Sequence, residues 1–361
     1  MAPRMTTAFI REEGTAVSQL LPIPMTEPRS RVLVDPFGRR IDYLRVSVTD
    51  RCDLRCVYCM PADQKFLPKA EILTLEQLDT LCTTFVRLGV RKLRLSGGEP
   101  LLRRGFIDLV RGLSRHLDSG ALDELTLTTN GTRLAEHASA LADAGVRRVN
   151  VSIDSLDPDT FARLTRGGDL GRVLGGIEAA LGAGLGVKLN IVALAHDNQD
   201  ELPELIAWAH AHGMDASLIE TMPLGEIEQD RTDQYLPLTK VRFMLEERWT
   251  LEPIAMRSCG PARYVRVAET GGRLGFITPM SNNFCASCNR VRLTATGILY
   301  MCLGQDDSAD LRTPLRDGAS QDEIDDIILE AIARKPEKHD FLIGTRGAGP
   351  VLTRPMSRTG G

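Results

Sequence analysis

Two hydrophobic periods alternate along this chain, and their succession predicts its elements. In Tyr43-Leu44-Arg45-Val46-Ser47-Val48 apolar residues alternate as in a strand. Leu75, Leu78, Leu81, Phe85 and Leu88 then fall at helical intervals, Thr74 and Gln77 have capping-box spacing, and Gly89 supplies a stop. A second strand follows at once in Lys92-Leu93-Arg94-Leu95-Ser96. The pattern predicts further strands at 125–128, 148–153, 187–192 and 215–220, with helical stretches ending near Gly145, Gly184 and Gly213. Alternation of this kind implies a parallel sheet with right-handed crossovers.

Six βα units, two short of eight, predict an α/β fold of the incomplete (βα)6 TIM-like barrel type, with an open sheet as the other solution. In either, ligands gather at the carboxyl ends of the strands. The barrel is expected over residues 39–225. Beyond it the repeat fades, and 265–267, 274–277, 291–294 and 299–301 read as short antiparallel strands of a small C-terminal region, residues 226–361. Residues 1–38 carry Pro3, Pro22, Pro24, Pro28 and Pro36 without a sustained period, the composition of a disordered extension.

Composition narrows the function classes. The chain has 361 residues, 43% of them hydrophobic, enough for a sizeable core, and a formal charge of -4 gives no support to a nucleic-acid or anionic-membrane partner. No stretch approaches the roughly 18 consecutive apolar residues of a membrane span, and Met1 to Ser30 lacks the apolar core and small-residue site of a signal peptide, so a cytoplasmic location is expected. Six of the eight cysteines fall into two tight triplets, while Cys82 and Cys259 stand apart. That clustering points to metal ligation in a reducing compartment.

Cys52, Cys56 and Cys59 follow the first strand directly, interleaved with Arg51, Arg55 and Tyr58. A structural zinc site normally takes four protein ligands, and the six histidines lie far from this loop in sequence. Soft thiolates favour iron-sulfur clusters, and three ligands on a four-iron cluster leave one iron open to a ligand. The spacing resembles that of the radical S-adenosylmethionine (SAM) superfamily, whose members chelate SAM at the open iron and generate a 5'-deoxyadenosyl radical. Ser96-Gly97-Gly98-Glu99-Pro100, after the second strand, resembles the turn that holds the methionyl amine there, with Glu99 able to accept from an ammonium group. Ser152 and Thr128 also stand at strand ends, their hydroxyls suited to ribose or carboxylate contacts or to capping the next turn or helix, and Met222, just past the sixth strand, suits the core or packing on an adenine.

Arg45, Lys92, Arg94 and Lys188 interrupt otherwise apolar strands. Such cations must reach solvent, pair with carboxylates, or meet an anion inside the fold. Together with Arg290 and Arg292 they suit a polyphosphate. The second triplet is Cys285, Cys288 and Cys302, with Arg290-Val291-Arg292 just after the pair; a fourth thiolate from Cys259 would make it a closed structural site.

At this point residues 40–361 resemble the GTP 3',8-cyclase family, which begins molybdenum-cofactor biosynthesis. The shared features are the first triplet, the glycine-rich turn, Thr128-Thr129-Asn130-Gly131, Met222-Pro223-Leu224-Gly225-Glu226, the second triplet with its arginines, and the terminal Gly360-Gly361. The resemblance implies an incomplete (βα)6 barrel closed by a C-terminal cluster region, two 4Fe-4S clusters, SAM as cofactor, GTP as substrate and a homodimer. It implies that Cys52, Cys56 and Cys59 hold the SAM cluster, that Tyr58, Gly98, Ser152 and Met222 contact SAM, and that Cys285, Cys288 and Cys302 hold a second cluster that binds guanine. Arg45, Arg94, Thr128, Lys188, Arg290, Val291 and Arg292 match the GTP contacts. Arg290, Arg292, Gly360 and Gly361 are implied to be catalytic, the tail reaching into the site, although Thr359 stands where an apolar residue is expected. The implied reaction is abstraction of the ribose 3' hydrogen, attack of C3' on guanine C8, then reduction and protonation. An electron donor and the next enzyme of the molybdopterin pathway complete the implied partners. A radical enzyme acting on a peptide, and a non-enzymatic metal scaffold, are the competing readings.

Overall fold

The structure, a computed structural model, describes residues 32–228, 231–255, 260–342, 350 and 352–360. The βα units form where the periodicity places them: β1 (Tyr43–Ser47), α1 (Leu75–Arg87), β2 (Lys92–Ser96), α2 (Phe106–Asp118), β3 (Glu124–Thr129), α3 (Leu134–Asp143), β4 (Arg148–Ser152), α4 (Pro158–Thr165), α5 (Leu170–Gly182), β5 (Gly186–Ala193), α6 (Leu202–Ala211) and β6 (Asp215–Glu220). The capping box is made: Thr74 accepts from Gln77 N while the Gln77 side chain accepts from Thr74 N at 2.9 Å.

Strands β1 to β6 are parallel neighbours in chain order. The C-terminal strands β7 (Leu251–Pro253), β8 (Arg263–Val267), β9 (Arg273–Ile277), β10 (Arg290–Leu293), β11 (Ile298–Tyr300) and β12 (Ser308–Asp310) extend the same sheet, in the order β12-β11-β10-β1-β2-β3-β4-β5-β6-β9-β8-β7. The antiparallel expectation holds for the outer pairs only. β9 runs parallel to β6 and β10 parallel to β1, covering both edges of the six-stranded sheet. An uncovered edge there would leave a row of N–H and C=O groups without partners. The residues from Val32 onward form one compact unit, so the change of pattern near residue 225 is a change of connectivity within one sheet.

Packed structure also starts earlier than expected, which corrects the extension drawn over residues 1–38. Leu33 is fully buried, Val34 bridges Arg40, and Pro36 and Gly38 belong to a turn closed by Asp35. Asp35 pairs with Arg39, whose guanidinium reaches across to the carbonyls of Cys285, Pro336 and Glu337. Residues 1–31 lie outside the described residues. Among the described residues no helix is long and apolar enough to cross a membrane.

The outer helices pack closely where glycine permits. A Cβ on Gly176, in α5, would stand 2.5 Å from the Gly131 carbonyl oxygen and 3.1 Å from Leu134 Cβ. Gly176→Ala should therefore destabilise the protein by roughly 1–3 kcal/mol, the usual cost of overpacking, seen as a lowered thermal midpoint. An unchanged midpoint would mean that α5 can shift freely.

Candidate active site

Register explains why the strand cations converge. β1 pairs with β10 and with β2 so that Arg290, Tyr43 and Lys92 form one cross-strand row, and Arg292, Arg45 and Arg94 the next. Residues two apart on a strand share a face, so both rows look into one cavity, which Thr128, Arg148 and Lys188 also line. Val291, between the two arginines, faces the other way and is fully buried in the apolar core. Its expected contact with substrate is corrected to one that only its backbone could make.

The rows are short of counter-ions. Lys92 and Arg148 share Glu124, but Arg45, Arg94, Arg290 and Arg292 have no carboxylate partner among the described residues. Nε of Arg45, Arg94 and Arg290 and Oγ1 of Thr128 are buried without hydrogen-bond partners. Burial, and after it the Arg292 charge, pulls Arg45 well below its ordinary pKa, and burial followed by Arg290 brings Arg292 to about 10. Burial would raise the Tyr43 phenol, but Arg94, Arg45, Lys92 and Arg290 outweigh it and lower it. Lys188 donates to Tyr264 Oη at 2.6 Å, and burial, then Arg94, pushes its ammonium well below the ordinary range. Uncompensated cations around a cavity fit an anionic ligand.

At the carboxyl ends of the strands, the first cysteine loop is pinned from both sides. Arg55 N and Val57 N donate to Thr165 and Leu164 carbonyls, and Arg166 donates to the carbonyls of Arg55 and Met60. The glycine-rich turn lies directly against the loop: Gly98 N bonds Thr49 O at 2.8 Å and Glu99 N bonds Arg51 O at 2.7 Å. A Cβ on Gly98 would stand 2.2 Å from Arg51 O, so only glycine fits. Burial raises Cys52 to about 12, Cys59 to about 11 and Cys56 well above its ordinary value. A metal that binds these thiols must displace their protons to solvent. Tyr58 Oη donates to Asp154 at 2.6 Å, and Tyr58, Gly98, Ser152 and Met222 all line the cavity.

Glu99 has a different task from the one expected. It is fully buried, and its oxygens accept from Leu101 N, Thr129 Oγ1 and Asn130 N at 2.9, 2.8 and 2.6 Å. It is committed to fixing the β3 turn, from which Asn130 reaches Cys52 Sγ at 3.7 Å and Asp53 at 2.7 Å. Oε1 accepts two of these bonds and Oε2 one, and the carboxylate is fully buried and does not line the cavity.

The second triplet lies at the other end of the strands. Cys288 precedes β10, which is parallel to β1, and Cys302 follows the antiparallel β11, so both sit at the amino end of β1. The rule that ligands gather at carboxyl ends finds only the first triplet. Cys285, Cys288 and Cys302 line the same cavity as Cys52, Cys56 and Cys59. The five residues of β1 alone put ~13 Å between the two ends. Burial raises Cys285 and Cys302; it would raise Cys288 too, but Arg290 and Lys335 hold that thiol below its ordinary value. Cys259 lies outside the described residues.

Among the described residues no three cysteine, histidine or acidic side chains converge on one ion-sized point. A zinc ion needs its ligands around a single centre at ~2.3 Å, whereas a cluster offers separate irons to separate thiolates. Three soft thiolates in each triplet are donors that an iron-sulfur cluster would accept.

The tail reaches the site as far as it is described. Arg292 donates to the carbonyls of Gly360 and Thr359. Gly360 has φ +75°, and a Cβ on it would stand 2.2 Å from Ser96 Oγ. Thr359 is buried, its hydroxyl directed to Met356 O at 3.4 Å. Arg354 stacks 3.8 Å over Tyr300 and bonds Leu303 O, Gln305 O and Asp306. Gly361 lies outside the described residues. Sequence reasoning missed Tyr43, Arg354 and His339, which lines the cavity beside the second triplet. For Tyr43 the signal was present: it stands two residues before Arg45 on one strand face.

Comparison with known proteins agrees with this geometry. Residues 46–209 match the Radical SAM superfamily and residues 214–341 match Molybdenum Cofactor Synthesis C. Streptococcus suis SuiB bound to S-adenosylmethionine shares the fold at TM-score 0.56 and 14% identity, over 80% of this chain and 69% of that one. The fold and the first cysteine loop are thus those of a radical SAM protein. The GTP 3',8-cyclase of Brucella canis is 61% identical over 94% of this chain and 98% of its own, and that of Mesorhizobium japonicum 62% identical over 91% and 99%. This chain belongs to the GTP 3',8-cyclase family.

Burial raises the Glu99 carboxyl from 4.5 to about 7 against its three hydrogen bonds. A raised folded-state pKa means that the native chain holds this proton more tightly than the unfolded chain does. The contribution is fully present below 4.5 and is lost as pH rises through about 7. The thermal midpoint of the cluster-free protein, relative to Glu99→Gln at each pH, should fall across that window and level above it. A flat difference would show that Glu99 is charged throughout.

Proposed function

We propose that this protein is a GTP 3',8-cyclase that converts GTP to (8S)-3',8-cyclo-7,8-dihydroguanosine 5'-triphosphate, with SAM at the carboxyl end of the sheet and GTP toward the amino end. The observation that carries this is the single cavity: a thiol triplet at each end of β1, and between them cation rows without counter-ions. At one end Cys52, Cys56 and Cys59 would hold the SAM cluster, and Tyr58, Gly98, Ser152 and Met222 would contact SAM. At the other, Cys285, Cys288 and Cys302 would hold a second 4Fe-4S cluster facing guanine. When bound, the first cluster with SAM and an added electron supplies the 5'-deoxyadenosyl radical that removes the ribose 3' hydrogen, so that C3' can bond to guanine C8.

The chain's own residues bind and orient. Arg45, Arg94 and Arg290 present unpartnered donors for phosphate oxygens, with Lys188 and Thr128 beside them and the Val291 backbone in the same strand. Arg292 joins these rows while gripping the Gly360 carbonyl, which would bring the Gly360-Gly361 tail against the substrate. A neutral peptide would leave the rows uncompensated.

An incomplete (βα)6 barrel with the C-terminal region closing it is part of this reading. The twelve residues from Thr278 to Asn289 join β9 to β10 and include a turn and a short 3-10 helix. Those strands stand seven positions apart in the sheet, ~34 Å if the sheet were flat, which favours a curved one. A homodimer, a cytoplasmic location, a one-electron donor and a following enzyme of the molybdopterin pathway complete the proposal.

Iron and sulfide reconstitution without oxygen, followed by reductant, SAM and GTP deuterated at C3', should yield deuterium-labelled 5'-deoxyadenosine only when GTP is present. Unlabelled nucleoside formed equally without GTP would overturn the substrate. Arg94→Ala should weaken GTP binding about 10- to 100-fold, the cost of one charge-assisted contact, and leave SAM binding unchanged. Equal loss of both ligands would mean that Arg94 acts through the fold.

A further inference from the structure

Lys335 follows the helix Gln321–Ala333 and is 98% buried, its relative exposure being 2%. Its Nζ donates to Met301 O at 2.5 Å and Arg290 O at 3.1 Å, and lies 3.7 Å from Cys288 Sγ. It thus joins the entry of β10 to the residue before Cys302. Holding two carbonyls needs only a neutral donor. A buried ammonium needs an anion as well, or it costs several kcal/mol in desolvation, and among the described residues no carboxylate pairs with Lys335.

The ionisable groups beside the ammonium are Cys288, whose Sγ it meets, and Cys302, next in sequence to the Met301 carbonyl it holds. Among the described residues these thiols can supply the missing negative charge, which they carry when they ligate metal. Arg39 and Arg290 add positive charge on the same side. The first triplet is set differently. The charged groups acting on Cys52 and Cys56 include Glu99, Asp53 and Asp154, and Arg231 is the cation nearest in effect to Cys59.

We propose that Lys335 is a positioning and charge-compensating residue for the second cluster, an ammonium against Cys288 that makes this cluster easier to reduce by one electron than it would otherwise be. This rests on the reading that Cys285, Cys288 and Cys302 hold that cluster. Added negative charge on a cluster is stabilised by a nearby cation and by hydrogen bonds to its sulfurs. The reduction adds one electron and breaks no bond.

The test is anaerobic, EPR-monitored redox potentiometry of the reconstituted full-length protein with dithionite as electron source, alongside iron and sulfide content. The first cluster's signal is identified by its response to SAM. Lys335→Met removes charge and donor, Lys335→Gln keeps a donor to the carbonyls, and Lys335→Arg keeps the charge. The second cluster's midpoint should fall in the two neutral variants, stay near wild type in Lys335→Arg, and leave the first cluster's midpoint unmoved. Loss of the second cluster's iron from both neutral variants, with retention in Lys335→Arg, would also support the proposal. An unchanged second midpoint in a neutral variant that holds both clusters overturns it, as does equal loss of iron from all three, which would make Lys335 a packing residue. A wild-type protein that binds only the first cluster would sink the reading of the second triplet itself, a result visible before any variant is made.

Discussion

Everything in this site follows from putting positive charge inside a parallel sheet with too little negative charge to match it. Parallel register carries Arg292, Arg45 and Arg94 into line beside Arg290, Tyr43 and Lys92. Glu124 compensates Lys92 and Arg148 only. Four buried or half-buried guanidinium groups remain, and three of them have an Nε with no partner. Such an arrangement costs folding free energy in the absence of an anion. A polyanionic substrate would offset that cost on binding, and the stability withheld from the empty fold would be returned as affinity and orientation.

The same sheet separates two chemical environments. Toward the carboxyl ends, Asp53, Glu99 and Asp154 surround the first cysteine loop, and burial holds its thiols high. Toward the amino ends, Arg39, Arg290 and Lys335 surround Cys288 and pull its thiol down. Strand direction makes this possible without long-range design: β10 enters beside the amino end of β1, whereas the first loop leaves from its carboxyl end. Two cysteine triplets are thereby given different electrostatic surroundings within one cavity, with Arg231 the cation at Cys59.

Much of this was legible in the residues. Periodicity located β1 to β6, and Thr74, Gln77 and Gly89 marked the limits of α1. Cysteine spacing located both triplets. What could not be read were features set by long-range pairing. That β10 lies parallel to β1 depends on how the chain crosses from one edge of the sheet to the other. The parity that turns Val291 into the core is visible on the strand, yet which face meets the cavity is not. The resemblance of its turn offered Glu99 an amine; the hydrogen bonds it makes, to Thr129 and Asn130, come from the end of β3 and could not be read from that turn. Pro36 read as part of a linker because the closing contact, Arg39 with the Cys285 and Glu337 carbonyls, spans 246 and 298 residues.

The tail shows how a departure from a family pattern can be absorbed. Thr359 stands in a buried place where the resemblance leads one to expect an apolar residue, and burial would normally strand its hydroxyl. Here the hydroxyl turns back to the Met356 carbonyl inside the same short helical turn. The contacts that place the tail are made elsewhere: Arg354 anchors it on Tyr300 and the loop after Cys302, and Arg292 takes the carbonyls of residues 359 and 360. Carbonyls are present whatever the side chain. At Gly360, by contrast, glycine is required, because its φ of +75° is one L side chains rarely adopt and a Cβ would meet Ser96 Oγ at the end of β2. Backbone recognition thus leaves residue 359 free to vary within the limits of packing, and shape holds residue 360 to glycine.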